Sequence, residues 1–187
     1  MNVEIKVLIT NEIDEAIECF ARAIAQDWPN NKEEAKNWVY DEFHNPDSVI
    51  FGAFVENKLI GVCSLVPFNF ILEKLGGKES NLIIKALKRQ PDIDTSKVIY
   101  MGGFGVEEEF KEKGIGTKLF TFAEKLAINK GCKTLLGHTA RPSKKYDKIK
   151  GLDFALSIIQ MKKLPLTETI FLSSPNDLEK VWLYKSF

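Results

Sequence analysis

Gly114 and Gly116 lie in a turn rich in glycine and lysine, directly before a segment with helical periodicity. The first N–H groups of a helix have no partner within the helix, and the helix dipole adds partial positive charge there. Because glycine has no Cβ, an anion can approach this backbone closely. Lys111 and Lys113 add two positively charged side chains to the same turn. The spacing therefore predicts a site for a phosphate or pyrophosphate group.

Two known phosphate-binding motifs do not fit this turn. A dinucleotide fingerprint needs a third glycine, but counting from either Gly-x-Gly pair the third position holds Glu108 or Leu119. A P-loop needs Gly-Lys followed by Ser or Thr, whereas Gly116 is followed directly by Thr117. The anion that this turn binds must therefore be recognised by a different motif.

A buried strand and an amphipathic helix flank the turn. Residues 98–106 are apolar almost throughout, which is typical of a strand buried on both faces. Gly131 follows the helix where a C-cap needs a residue that tolerates positive φ. The apolar residues of the helix fall on one face: Ile115, Leu119, Phe122, Ala123, Leu126 and Ala127. The segment thus reads as strand, turn and helix.

In this context the residues after Val106 resemble the acetyl-CoA signature of the GCN5-related N-acetyltransferase (GNAT) family. That signature is a strand-ending valine, a short turn, and Arg/Gln-x-x-Gly-x-Gly/Ala at a helix start. The matching residues here are Lys111-Glu-Lys-Gly-Ile-Gly116, with lysine in place of arginine or glutamine. The order of predicted elements resembles the family over nearly the whole chain, and the motif match covers roughly residues 98–152. The resemblance implies an α/β (α+β) fold with a mostly antiparallel sheet flanked by helices.

The resemblance implies that acetyl-CoA binds as the acyl donor between two splayed central strands, which end at Val106 and Thr139. The sequence has no Cys/His spacing typical of a metal site, so no metal is expected. Backbone groups at the end of the first strand would pair with the pantetheine amides, and the amides of the turn would bind the pyrophosphate. The expected cofactor-binding residues are Phe104, Gly105, Val106, Lys111, Glu112, Lys113, Gly114, Ile115, Gly116 and Thr117. Residues 107–109 are all glutamate, a negative charge that the motif does not need.

The activity implied by the resemblance is direct transfer of an acetyl group to an amine of a small molecule or peptide. Tyr146 is the expected acid, because the family places a tyrosine on the helix after the second splayed strand. Its spacing to Gly151 is one residue longer than in the family pattern. His138 is one option for the base, since its pKa would suit neutral pH. A water chain, or a substrate that arrives neutral, are the others, because residues 100–104 contain no carboxylate.

Two other functions compete with this one. The missing strand carboxylate and the altered tyrosine spacing fit a non-catalytic, acyl-CoA-binding regulatory domain. An α/β domain that binds nucleotides without CoA is the third reading. The insertion at residues 68–96 is either a flap over the acceptor site or a decoration of the fold.

Composition indicates one domain, residues 1–187, with a sizeable core. Lysine plus arginine and aspartate plus glutamate number 26 each, so the charge gives no sign of a nucleic-acid partner. There is no apolar signal core and no run long enough to span a membrane. Three widely spaced cysteines predict reduced, buried thiols and a cytoplasmic location. The resemblance also allows a homodimer.

The remaining elements follow from periodicity, caps and turn residues. Asn11 is the expected N-cap of the first helix. Glu56 and Asn57 form the turn of a hairpin. Strands are predicted at 3–9, 48–55, 58–66, 133–139, 154–161 and 180–187, and helices from 11 to about 28, from 31 to about 45, at 80–89, and at 143–150 with Gly151 as its stop.

Overall fold

The computed structural model describes residues 1–24, 32–142, 150–172 and 178–187, which form two compact units. Unit 1 comprises Met1–Val66 and Met101–Leu126, and unit 2 comprises Pro67–Tyr100 and Ala127–Phe187. Helices flank a mostly antiparallel sheet, so the predicted mixed α/β fold is confirmed. That residues 1–187 form a single domain stays a prediction.

Unit 1 holds the first half of the sheet and the helices that pack on it. Strands β1, β2 and β3 are antiparallel neighbours, and β4 lies beside β3. The bounds are β1 Glu4–Val7, α1 Ile13–Ile24, α2 Lys32–His44, β2 Val49–Val55, β3 Lys58–Pro67, β4 Val98–Val106 and α5 Ile115–Asn129, the last two passing into unit 2.

The sequence predicts the hairpin turn of unit 1 correctly and the N-cap of its first helix wrongly. Glu56 and Asn57 have φ values of 50° and 63°, as a two-residue hairpin turn requires, so the predicted turn is confirmed. The prediction of Asn11 as an N-cap is wrong. Asn11 lies inside the 3₁₀ turn Thr10–Glu12, and the Glu12 carboxylate accepts a hydrogen bond from the Ile9 N–H at 2.9 Å.

The core of unit 1 lies between α1, α2 and the sheet. Phe20 and Phe43 meet edge to face, with ring centroids 6.5 Å apart. A fully buried Leu, Ile or Phe stabilises a fold by about 1.5–3 kcal/mol. The buried cluster consists of Leu8, Ala16, Ile17, Cys19, Phe20, Ala21, Ile24, Ala35, Val39, Phe43, Ile50, Leu59 and Val62.

Unit 2 holds the second half of the sheet and the inserted helices. Strand β5 pairs in parallel with the start of β4 and antiparallel with β8, which also pairs with β6 and β7. The bounds are α3 Phe68–Leu75, α4 Gly77–Lys88, β5 Thr134–Ala140, α6 Gly151–Asp153, β6 Lys162–Lys163, β7 Ile170–Phe171 and β8 Glu179–Ser186.

The insertion and the segment after Gly151 differ from the prediction. Residues 68–96 contain two helices rather than one, joined at Gly76, which has a φ of 73°. The strand predicted at 154–161 is wrong, because Phe154–Ile158 forms a π-helical turn in which the Ile159 N–H bonds the Phe154 carbonyl. A short apolar run does not distinguish a strand from a helix by periodicity. Gly151 begins α6 rather than ending a helix, and residues 143–149 lie outside the described part of the chain.

The ladder between β4 and β5 is short. It joins Val98 to Thr134, Ile99 to Leu135 and Tyr100 to Leu136, and it ends there although β4 continues to Val106. Of the helices in the described ranges, none is long and apolar enough to cross a membrane.

Gly103 has a conformation that only glycine adopts easily, and its replacement by alanine should destabilise unit 1. Its φ is +49°, and an added Cβ would lie 2.3 Å from Phe43 Cε1. We expect Gly103→Ala to lower the free energy of unfolding by about 2–4 kcal/mol, from backbone strain and overpacking together. Urea denaturation measures this. Gly77→Ala, whose Cβ would meet no atom within 4 Å, is the control and should leave stability unchanged or slightly raised.

Candidate functional site

The backbone changes direction sharply between β4 and α5. A 3₁₀ turn at Glu108–Phe110 is followed by Lys111 in an extended conformation. Glu112 and Gly114 then have φ values of 60° and 76°. Residues that depart in this way from right-handed geometry turn successive N–H groups toward a common point and form concavities that bind anions. The turn therefore has a backbone shape that is compatible with the predicted anion site.

The start of α5 leaves its first amides without acceptors in the helix. The Lys118 N–H bonds the Gly114 carbonyl at 3.1 Å, and the N–H groups of residues 115–117 precede this bond. A Cβ at Gly114 would meet no atom within 4 Å, so the backbone here faces open space. Ile115 and Leu119 are 1% and 0% exposed and anchor the opposite face of the helix. These donors fit a phosphate group.

The two lysines of the turn already have partners within it. Lys111 Nζ lies 2.7 Å from a carboxylate oxygen of Glu108. Lys113 donates to the Glu109 carbonyl at 2.7 Å and lies 5.3 Å from the centre of the Phe110 ring. A phosphate bound at this turn would therefore be bound mainly by backbone amides. The two lysine ammonium groups would compensate part of its negative charge from a greater distance.

Glu107, the first residue of the acidic run 107–109, has a structural role as the partner of two cations. Its side chain is 9% exposed and accepts a hydrogen bond from Arg22 Nε at 2.7 Å, with Lys58 Nζ at 3.2 Å. Its N–H bonds the Ile60 carbonyl at 2.9 Å. Sequence reasoning missed Arg22 and Lys58, because nothing in the local pattern links either to Glu107.

The end of β4 presents its backbone groups alternately to its two sides. The Glu107 N–H and the Gly105 carbonyl both face β3, the latter 3.2 Å from the position of a Cβ at Gly61. By the alternation of a strand, the N–H and C=O of Phe104 and Val106 point away from β3. The structure thus directs two of the predicted cofactor-binding residues away from the strand that β4 pairs with.

His138 lies on β5 in unit 2, where its ring is close to those of two other aromatic residues, Tyr100 and Trp182. Its Nδ1 is 2.8 Å from the Tyr100 hydroxyl, and its ring centre is 4.9 Å from that of Trp182. Burial, with a smaller contribution from the charge of Lys180, lowers the pKa of His138 to about 3. The expectation of a pKa suited to neutral pH is therefore wrong, and the imidazole is neutral at that pH.

Tyr146 lies outside the described residues. In the described ranges, no group of three His, Cys, Asp or Glu side chains could hold a metal ion. Cys19, Cys63 and Cys132 are free; the first two are buried and Cys132 is half-buried. Burial raises the pKa of the Cys19 thiol to about 12, with the charge of Glu107 acting in the same direction.

Comparison with known families gives a match over most of the chain. A model of the acetyltransferase (GNAT) family matches residues 14–145. A search of curated protein sequences found no significant match.

Several solved structures share the fold at low sequence identity. The PaiA N-acetyltransferase from Thermoplasma acidophilum, in complex with coenzyme A, has a TM-score of 0.63 and 16% identity, with both chains covered to 100%. The ribosomal-protein-S18-alanine N-acetyltransferase from Escherichia coli has a TM-score of 0.64 and 10% identity, over 99% of this chain and 94% of that one. A GNAT family acetyltransferase from Elizabethkingia anophelis with acetyl-CoA bound has a TM-score of 0.58 and 15% identity, over 100% and 99%.

The low pKa of His138 predicts a pH dependence of stability. Between pH 6.5 and pH 3 the unfolded chain binds a proton at this imidazole and the folded chain does not. The contribution of His138 to stability is therefore complete above pH 6.5 and is lost as the pH falls, at about 1.4 kcal/mol per pH unit. Urea denaturation between pH 6.5 and 5 should show this slope, and His138→Gln should remove it. His44→Gln is the control, and equal slopes in wild type and His138→Gln would contradict the prediction.

Proposed function

Because the chain belongs to the GNAT acetyltransferase family, we propose that it transfers the acetyl group of acetyl-CoA to an amine of a small molecule or a peptide. The observation that carries the proposal is the turn between β4 and α5. Its left-handed residues and the amides at the helix start, which have no acceptor within the helix, suit a pyrophosphate. The relatives with CoA or acetyl-CoA bound support the same donor.

The names of the relatives support an amine acceptor without separating small molecules from peptides. The E. coli relative is described as acting on an alanine of a ribosomal protein, which is a peptide amine. The name of the PaiA relative gives only an N-acetyltransferase. An amine acceptor is therefore the shared property, and we include both small molecules and peptides. The cytoplasmic location and the homodimer remain proposals, the former resting on three free thiols.

The residues of unit 1 would hold the donor mainly through the backbone. When bound, acetyl-CoA supplies an acetyl group activated as a thioester. The amides of residues 115–117 would bind its pyrophosphate, and the outward backbone groups of Phe104 and Val106 would bind its pantetheine arm. Backbone recognition depends little on side-chain identity, so lysine at position 111 is compatible with this role even though it lacks the fork of arginine.

Proton transfer needs a neutral amine and a proton for the departing sulfur. We propose that His138, which stays neutral at pH 7, accepts a hydrogen bond from the amine and orients it, while the amine loses its proton to water. A base with a pKa near 3 is too weak to remove that proton efficiently itself. Tyr146 is proposed as the acid.

The donor site can be tested with a charged variant at the helix start. Gly114 has a φ of +76°, a region that Asn and Asp tolerate, and both are good residues before a helix. Gly114→Asp should leave the protein folded and weaken acetyl-CoA binding by about tenfold or more, because its charge repels the pyrophosphate. Gly114→Asn is the matched uncharged control. Thermal unfolding with acetyl-CoA, CoA and ATP gives the readout, and equal binding by both variants would remove the turn from the site.

The catalytic part is tested separately, by release of CoA with a panel of amines. Tyr146→Phe should lower turnover by about a hundredfold without changing acetyl-CoA binding, because only the transferable proton is lost. If turnover is unchanged, Tyr146 is not the acid and the enzyme proposal still stands. If wild-type protein binds acetyl-CoA and acetylates no amine, the chain is instead a non-catalytic acyl-CoA-binding domain.

A further inference from the structure

A second cluster of polar side chains lies in unit 2, where α4 meets β8. Glu79 of α4 accepts hydrogen bonds from the Lys180 ammonium at 3.0 and 3.2 Å and from the Trp182 indole N–H at 3.0 Å. The side chain of Glu79 is 17% exposed and that of Lys180 is 9% exposed. Residues 180 and 182 point to the same face of β8, as alternate residues of a strand do. One carboxylate thus holds two neighbouring side chains of the strand.

Trp182 connects this carboxylate to His138. The two residues are partners in the ladder between β5 and β8, and their ring centres are 4.9 Å apart. An indole has a single N–H donor, so its bond to Glu79 fixes the direction in which the ring lies. The Tyr100 hydroxyl lies 2.8 Å from Nδ1 of His138. The imidazole is therefore held between a fixed indole and a buried tyrosine.

We propose that Glu79 is a positioning residue, which holds Trp182 and Lys180 so that His138 keeps one orientation beside a fixed positive charge. The role rests on the proposed function, in which His138 meets the acceptor amine. The insertion at residues 68–96 then takes part in positioning His138, because its helix α4 supplies Glu79.

The charges around His138 agree with this role. Among the described residues, the Tyr100 hydroxyl on β4 faces Nδ1 of His138, and Lys180 on β8 is the charge that acts on the imidazole. Glu79 on α4 lies one contact further away, bonded to Lys180. The positive charge of Lys180 opposes a second positive charge on His138, and Glu79 compensates Lys180. An imidazolium would donate at both nitrogens, whereas the neutral ring keeps one nitrogen as an acceptor. A largely buried Lys–Glu pair is seldom needed for stability, since apolar residues of similar volume serve as well.

A histidine titration followed by NMR tests the charge relation without any ligand. The chain has two histidines, and exposed His44 serves as the reference signal. Lys180→Met removes the positive charge and leaves Glu79, so the midpoint of His138 should rise by about one pH unit or more. Glu79→Gln leaves Lys180 in place, so the midpoint should not rise. Equal midpoints in wild type and Lys180→Met, or a rise in Glu79→Gln, would overturn the proposal.

Turnover tests the orientation. Glu79→Leu removes the acceptor of both Lys180 and Trp182, so kcat should fall about tenfold while KM for acetyl-CoA stays unchanged, and the Trp182 indole signal should move. Glu79→Gln keeps an acceptor for the indole and should retain more of kcat. Lys78→Met is the matched control on the same helix, since Lys78 pairs with Glu168 at the surface at 2.7 Å. A lower Tm with wild-type kcat and an unmoved indole signal would show a merely structural role and overturn the proposal.

A double variant covers the case in which Glu79→Leu does not fold. Glu79→Gln combined with Lys180→Met removes both charges and leaves no uncompensated lysine. The midpoint of His138 should rise by less in this protein than in Lys180→Met, because loss of the carboxylate offsets part of the loss of the ammonium, and kcat should fall. Wild-type kcat in this variant would overturn the proposal. Because the titration needs no substrate, a wild-type protein without turnover would refute the proposed function alone, and the midpoints would still decide the charge relation.

Discussion

The carboxylate of Glu107 fixes the point at which β4 ends and the turn begins. It contacts Arg22 of α1 at 2.7 Å and Lys58 of β3 at 3.2 Å, while its N–H bonds β3 at Ile60. Removing a charge from water costs several kcal/mol unless a partner compensates it, and this carboxylate is only 9% exposed. A helix, two strands and the start of the turn before α5 are therefore joined at one residue. Arg22 contributes most of the compensation of the Glu107 charge, because Lys58 is 55% exposed and water and salt screen its ion pair with Glu107.

This arrangement also resolves an electrostatic conflict. Three consecutive glutamates beside a phosphate site would repel the ligand if their charges were uncompensated. Instead Glu107 pairs with Arg22, Glu108 with Lys111, and Glu109 with Lys58. At short range each carboxylate is offset by a cation, so the amides at the start of α5 determine the field that an anion meets. The acidic run holds the turn in place and does not oppose its function.

The sequence predicted best what short-range rules determine. Strand β4, the hairpin turn at Glu56 and the end of α5 shortly before Gly131 follow from apolar runs and from residues that tolerate positive φ. The contacts that join distant segments escaped prediction, since Arg22 and Glu107 are 85 positions apart and no pattern pairs them. The helical turn at Phe154–Ile158 was missed because five mostly apolar residues fit a strand equally well.

The same distinction separates the two parts of the candidate chemistry. Under the proposed function, donor binding in unit 1 uses backbone amides at a helix start. These appear in the sequence as glycines at fixed spacing, with a lysine at position 111 where the family signature has arginine or glutamine. The environment of His138 in unit 2 is built from side chains on β4, β5, β8 and the inserted helix α4. These side chains come from segments far apart in the sequence, so no short-range rule links them. This is why one sequence indicates the acetyl donor more readily than the amine that receives the acetyl group.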